Sequence, residues 1–173
     1  MKRLGFCAML LTMCVGLNAQ TFYGSRYKGY FDLNIGPGND GVYKGTNALS
    51  FGLLNSHGYQ FSPYIYVGAG FGIDYHHTEN FDNAISIPVF SNIRFNFQDS
   101  NTSPYLDLKV GYSFYDLEGV FMSPSIGIKS SINNNLALNF QLSYSAQRFN
   151  YIEYDDMKSS YIHSVKLSLG IEW

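Results

Sequence analysis

The sequence has no cysteine after residue 14, because its two cysteines are Cys7 and Cys14. This absence excludes a disulfide framework and a thiolate-bound zinc site from the rest of the chain. Charged residues are also scarce, at 14% of the chain, and the formal net charge is only −2. That charge, without a basic cluster beyond the N-terminus, excludes the footprint of a nucleic-acid-binding protein. Helical periodicity is missing as well, which points to a β-rich chain.

The first 19 residues have the pattern of a secretory signal peptide. Lys2 and Arg3 precede an apolar stretch at residues 4–17, which is short for a membrane-spanning helix, and Ala19 provides a small residue for cleavage. We expect residues 1–19 to be removed and residues 20–173 to form one domain. A lipoprotein anchored through Cys14 is the alternative, which Met13 disfavours because such a site needs a small residue there.

The remaining chain is rich in tyrosine, phenylalanine and glycine, as strands and turns are. Apolar residues alternate with small or polar residues in eight stretches of roughly ten residues, which predicts eight strands. The last stretch is HSVKLSLGIEW at 163–173, in which Lys166 and Glu172 lie on the face opposite to the apolar residues. Residues typical of turns separate the stretches at 36–41, 55–60, 76–83, 98–103, 115–119 and 132–135, and the longest connection is 146–160.

The polar face of these strands carries glycine, serine and asparagine together with single charged residues. The apolar face carries almost no charged residue. A water-soluble barrel would instead expose many lysines and glutamates. The pattern therefore predicts a barrel with lipid outside and polar side chains inside. A sheet in lipid must close, and eight strands leave an interior that side chains fill. The predicted fold is an all-β, eight-stranded antiparallel transmembrane β-barrel with up-and-down meander order. We expect both termini on the periplasmic side and the connections at 36–46, 74–84, 115–119 and 146–160 outside.

Strand parity places nine charged residues on the inner face. A charge in a narrow interior must be paired or hydrated, so we expect a salt-bridge network in which Arg94 pairs with Asp107. An ion or proton path is the alternative interpretation. The glycines at 68, 70 and 72 lie within a strand rather than at the start of a helix, which predicts a packing role and not a nucleotide site. The nine residues of the expected network are Lys28, Asp32, Asp74, Arg94, Asp107, Lys109, Lys129, Lys166 and Glu172.

Histidines provide the candidates for metal binding and for catalysis. A metal site in the connection that holds His76, His77, Glu79 and Asp82 is disfavoured, because adjacent histidines rarely bind one ion well. A hydrolase would need a serine next to a histidine, but His163 and Ser164 are adjacent in a strand and point to opposite faces. We expect no catalytic residue, no metal and no cofactor.

Two further features predict contacts rather than chemistry. The connection 146–160 mixes aromatic and acidic side chains, which suits a protein or glycan contact, although an extended hairpin above the membrane fits equally well. Trp173 continues the apolar face of the last strand, and we expect it to anchor the barrel at the membrane boundary and to act in assembly. The candidate contact residues are Phe149, Tyr151, Tyr154, Asp155 and Asp156.

The stretches HGYQFSPYIYVGAGFGIDY (57–75), SIPVFSNIRFNF (86–97), SPYLDLKVGYSFY (103–115) and SPSIGIKSS (123–131) resemble the small outer-membrane β-barrel domain family, often labelled porin-like. The resemblance covers most of 27–173. It implies an eight-stranded barrel, an outer-membrane location and no common catalytic residues. A terminal aromatic residue is similar to the signal that the outer-membrane assembly machinery recognises.

The sequence thus predicts a non-enzymatic outer-membrane barrel with a structural or surface-interaction role. A narrow porin-like conduit for small solutes or ions is the first alternative, and a lipid-modifying enzyme is the second. The expected partners are the outer-membrane bilayer, the assembly machinery and an extracellular protein or glycan of unknown identity, with no nucleic acid.

Overall fold

The computed structural model describes residues 27–40, 47–78, 83–133, 135–153 and 156–173, and the predicted signal peptide lies outside these ranges. Eight antiparallel strands follow one another around a closed barrel. Within the described residues, no helix is long and apolar enough to cross a membrane. The strands are β1 Tyr27–Asp40, β2 Asn47–Gln60, β3 Ile65–Thr78, β4 Ala84–Asn96, β5 Thr102–Tyr115, β6 Gly119–Asn133, β7 Leu136–Glu153 and β8 Asp156–Glu172.

The barrel closes where β1 pairs with β8, in a register that joins Leu33 to Leu169. The main chains of Gly29 and Trp173 extend this seam with two hydrogen bonds, of 2.9 and 3.0 Å. Closure satisfies the backbone groups that an edge strand would leave unpaired. The predicted eight-stranded antiparallel meander barrel is therefore confirmed.

The strands are longer than predicted, at 13 to 18 residues. The turn expected at 55–60 is wrong, because β2 continues to Gln60 and the bend is at 61–64. The small polar residues that suggested a turn belong to the strand instead. Ser56, for example, is buried inside the barrel. The connection expected at 146–160 is also mainly strand, since β7 and β8 stay paired until Glu153 meets Asp156.

The two ends of the barrel differ in their connections. Tyr27, Trp173 and the β2–β3, β4–β5 and β6–β7 turns lie at one end, which we call the terminal rim. The β1–β2, β3–β4, β5–β6 and β7–β8 connections lie at the other end, the loop rim. This arrangement follows from an even number of antiparallel strands.

The burial pattern is the reverse of that in a water-soluble barrel. Phe140 on the outer wall is 63% exposed, whereas Arg94 inside is 0% exposed. Exposed and buried residues alternate along β4, β5 and β6, with apolar side chains outside and mostly polar ones inside. A continuous apolar wall of this kind is stable against lipid and not against water.

Candidate functional site

The interior of the barrel is filled around Arg94, which lies on β4 opposite its register partner Asp107 on β5. Both side chains are fully buried. The Nε and Nη2 groups of Arg94 donate to Oδ2 of Asp107 at 3.0 and 2.7 Å, and Nη1 donates to Oδ1 of Asn139 at 3.2 Å. Charge-assisted hydrogen bonds of this kind offset part of the cost of burying both ions.

Two tyrosine rings lie against the same guanidinium. The Arg94 Cζ atom is 4.0 Å from the ring centroid of Tyr30 and 4.1 Å from that of Tyr105. Tyr66 packs edge-on against Tyr30, with 4.8 Å between the centroids. Such cation–π contacts are strongest where water is excluded. These tyrosines were not predicted to be part of the site, although their strand parity places them on the inner face.

Lys109 extends the network across the barrel. Its Nζ atom lies 3.2 Å from Oδ2 of Asp107 on its own strand and 3.3 Å from Oδ2 of Asp32 on β1. Two cations and two carboxylates thus balance one another in this part of the interior, which reduces the penalty for excluding water from them.

The other predicted interior charges lie on the inner face at different heights. Lys166 donates to Oδ1 of Asp74 at 2.8 Å, and Lys28 donates to Oε1 of Glu172 at 2.7 Å. Lys129 is half-buried near the terminal rim and makes no ion pair with any residue that the structure describes. It lines an open cavity of about 350 Å³ together with Lys28, Gln60, Ser62, Pro63 and Asp99.

An apolar layer of Leu54, Phe90 and Phe121 lies between the Arg94 network and the Lys166–Asp74 pair. Phe90 is four residues from Arg94 toward the loop rim, and the ring centroids of Phe90 and Phe121 are 6.0 Å apart. Glycines make room for this layer: a Cβ atom on Gly70 would lie 2.7 Å from Cζ of Phe90, and one on Gly72 would meet Leu54. These contacts explain Gly70 and Gly72 by packing.

Leu117 covers the interior at the loop rim. It is buried against Ile162 and the partly buried Ala84, although it belongs to the β5–β6 connection. Gln147 donates from Nε2 to the carbonyl oxygen of Leu117 at 2.7 Å. The neighbouring Asp116 accepts a hydrogen bond from the amide of Ile85 at 3.0 Å and donates its own amide to the carbonyl of Ile85 at 3.2 Å. This connection therefore folds inward over the mouth.

A serine–histidine contact that sequence reasoning missed lies beneath Leu117. Oγ of Ser50 on β2 is 2.9 Å from Nδ1 of His76 on β3 and 3.1 Å from Oγ of Ser164. Ser50 is fully buried, and the nearby Asp74 is paired with Lys166 rather than with His76. A catalytic pair needs a third group that orients the base and access to a substrate, whereas Nε2 of His76 has no hydrogen-bond partner among the described residues and Ser50 is buried.

The other histidine candidates do not come together in one site. His76 is inside, whereas His77 is exposed and contacts Oδ1 of Asn83 at 2.7 Å. Ser164 is buried inside while His163 is exposed on the outer wall, as adjacent strand residues must be. Among the described residues, no group of three or more His, Cys, Asp or Glu side chains could hold a metal ion. Glu79 and Asp82 lie outside those residues.

The candidate contact residues at the loop rim stay a prediction. Tyr154 and Asp155 lie outside the described residues, and so do the side chains of Phe149, Tyr151 and Asp156. The backbone places Phe149 and Tyr151 in β7 and Asp156 at the start of β8, so the contact surface would be the tip of a hairpin rather than a long loop.

Trp173 packs on the outer wall at the terminal rim. Its indole covers Gly29 so closely that a Cβ atom there would overlap the ring. It also meets His57 edge-on at 5.8 Å between centroids, and Nδ1 of His57 is 2.6 Å from the Tyr27 hydroxyl. Trp173 thus joins the last strand to β1 and β2 on the face that was predicted to meet lipid.

No protein-family model matches this sequence, and no curated protein matches it. Solved structures do match its fold. Neisserial surface protein A is 15% identical, with a TM-score of 0.57, and the match covers 86% of this chain and 96% of that one. The outer membrane protein AlkL is 15% identical with a TM-score of 0.57, covering 88% and 90%. OprG from Pseudomonas aeruginosa is 12% identical with a TM-score of 0.52, covering 86% and 95%. The chain therefore shares the fold of small eight-stranded outer-membrane barrels.

Proposed function

We propose that this chain is a non-enzymatic outer-membrane β-barrel with a structural or surface-interaction role. The observation that carries the proposal is the combination of an apolar outer wall with a filled polar interior. The wall needs lipid, and the interior holds most of its charges in pairs instead of lining an open passage. A role on the membrane surface then belongs to the connections at the loop rim.

Three successive barriers argue against the conduit alternative. A solute that moved from the terminal rim would first meet Arg94 between Tyr30 and Tyr105. It would then meet the apolar layer of Leu54, Phe90 and Phe121, and finally the Leu117 cap. Passage would require several buried groups to move together, which supports a closed barrel.

In the described part of the chain, the serine–histidine contact does not face lipid, which argues against the enzyme alternative. Ser50 contacts His76 inside the barrel, whereas a lipid-modifying enzyme would need such a pair at the membrane face. A non-enzymatic role fits this placement better than lipid hydrolysis does.

We further propose an orientation and a route to the membrane. Residues 1–19 would direct export, the terminal rim would face the periplasm and the loop rim would face outside. Trp173 would serve the assembly machinery as a recognition residue. A protein or glycan partner would meet the connection between β7 and β8, for which the sequence predicts Tyr151, Tyr154 and Asp155 as contact residues.

Fractionation combined with lipid analysis tests the proposal. We expect the protein in the outer-membrane fraction, with folded and boiled samples migrating differently on gels. Overexpression should leave the acylation pattern of the membrane lipids unchanged. A soluble monomer obtained without detergent would overturn the membrane assignment, and a changed acylation pattern would favour the enzyme alternative.

A further inference from the structure

A stacked group of polar rings interrupts the apolar outer wall near the loop rim. Nδ1 of His163 on β8 lies 2.7 Å from the hydroxyl of Tyr144 on β7. The imidazole stacks on Tyr144 with 5.8 Å between centroids and on Tyr161 with 6.0 Å, each at an interplanar angle of 19°. All three side chains are exposed on the outer wall.

The hydrogen bond with Tyr144 orients the imidazole. When the tyrosine hydroxyl donates to Nδ1, the ring proton is on Nε2, which is then a hydrogen-bond donor. In that tautomer His163 presents an N–H group from a wall on which most of the exposed side chains are apolar. An outward N–H group in lipid is stabilised only by a hydrogen-bond acceptor.

The position of His163 along the barrel identifies the layer of the bilayer that it meets. It is ten residues from Trp173 along the same face of the chain. With a rise of about 3.3 Å per residue and a tilt of about 40°, that separation spans about 25 Å along the barrel axis, which matches the apolar height of such barrels. With Trp173 at one membrane boundary, His163 lies at the other, at the level of the lipid headgroups.

The pairing of the strands places the guanidinium of Arg148 and the side-chain amide of Asn39 next to this stack. His163 pairs with Ala146 on β7 and with Asn39 on β1, and Arg148 pairs with Tyr161. Arg148 and Asn39 are both exposed. Arg148 is a diagonal neighbour of His163, and such neighbours are within reach of a common ligand. The guanidinium has five N–H donors, so it can bind an anion while it keeps another partner.

We propose that this outer-wall patch, formed by Asn39, Tyr144, Arg148, Tyr161 and His163, binds the phosphate group of an anionic lipid in the leaflet at the loop rim. Phosphate oxygens accept hydrogen bonds from a guanidinium, an imidazole N–H and an amide, and they are present at this depth of a bilayer. A patch that only anchored the barrel in the membrane would need the aromatic rings and no guanidinium. The guanidinium of Arg148 therefore favours an anionic ligand. The inference rests on the proposed function, because it requires this wall to face lipid.

Lipid retention by the full chain tests the site. The protein is placed in nanodiscs of phosphatidylcholine that contain a phosphorylated glucosamine-based lipid, and bound lipid is counted by native mass spectrometry after release. We expect the wild type to retain the phosphorylated lipid. The Arg148→Gln/His163→Leu variant should retain it about tenfold less, since hydrogen bonds to a charged group are lost.

Controls separate the possible reasons for a loss. His57→Leu is the matched control: His57 also meets a tyrosine hydroxyl on the outer wall, but its register partners are Gly29 and Ala69, so retention should not change. Arg148→Gln alone alters one exposed side chain and should also weaken retention. It therefore tests the site even if the double variant folds poorly. Migration of unboiled samples on gels reports folding.

Three results would overturn the inference. Equal retention by the wild type and by folded Arg148→Gln/His163→Leu would remove these side chains from any lipid site. Displacement of the lipid by inorganic phosphate alone would assign the patch to free phosphate, and preferential retention of a dephosphorylated glycolipid would assign it to a glycan. Failure of the wild type to enter nanodiscs would instead count against the proposed function itself.

Discussion

Arg94 and Asp107 form an ion pair inside the barrel, in which one carboxylate oxygen accepts two hydrogen bonds from the guanidinium. The residues are register partners on neighbouring strands, and neither side chain reaches solvent. A buried pair gains stability from further hydrogen bonds, and here Asn139 accepts one from Arg94 and Lys109 donates one to Oδ2 of Asp107, whereas Oδ1 of Asp107 has no partner among the described residues. The pair is therefore part of a packed polar core.

Replacing Arg94 should destabilise the barrel. Arg94→Ala leaves Lys109 to balance both Asp32 and Asp107, and an uncompensated buried charge costs about 3–5 kcal/mol. Urea unfolding of the protein folded in lipid or detergent measures the loss. The charge-balanced variant Arg94→Met/Asp107→Leu should lose less, and Lys129→Ala near the rim should stay within about 0.5 kcal/mol of wild type. Unfolding of Arg94→Ala at the wild-type midpoint would exclude a stabilising network.

The Leu117 cap should control access to the interior from the loop rim. Residues 15–173 contain no cysteine, so one introduced cysteine gives an unambiguous signal. Ser113 is fully buried on the inner face of β5, and Ser113→Cys should resist a charged thiol reagent. Adding Leu117→Gly should make this cysteine react, whereas Ser125→Cys, below the apolar layer, should stay protected in both backgrounds. Rapid labelling of Ser113→Cys with Leu117 intact would disprove the cap.

Trp173 should matter for insertion because of its aromatic ring. The indole covers Gly29 at the seam between β8 and β1, where a serine would leave the wall open. We expect Trp173→Ser to lower the amount of inserted barrel in cells and Trp173→Phe to preserve most of it, as judged by heat-modifiable migration and by protection from protease. Wild-type insertion of Trp173→Ser would show that this ring has no role in assembly.

Alternation in the sequence was sufficient to assign the two faces of the sheet. A period of two residues leaves only one way to place Lys166 and Glu172 inside while Val165 and Ile171 lie outside, and the structure has this arrangement. The eight strands and their closure followed from the same pattern, because an apolar wall in lipid cannot have an open edge.

Contacts across the barrel could not be predicted from the strand pattern. The pairing of Lys109 with Asp32 and of Lys166 with Asp74 depends on the stagger between strands, which alternation does not specify. The Ser50–His76 contact could not be predicted for the same reason, because it also depends on how the strands are staggered. The inward fold of Leu117 was also missed, because a single apolar residue in a polar connection has no periodic signal.

Ion leakage from lipid vesicles tests the central claim, that this barrel lies in lipid with a closed interior. The wild-type protein is inserted into vesicles loaded with potassium, and insertion is verified on the same sample by heat-modifiable migration. We predict that potassium release will equal that of protein-free vesicles at every ratio of folded protein to lipid. Release that increases in proportion to folded protein would contradict the closed interior and favour a conduit.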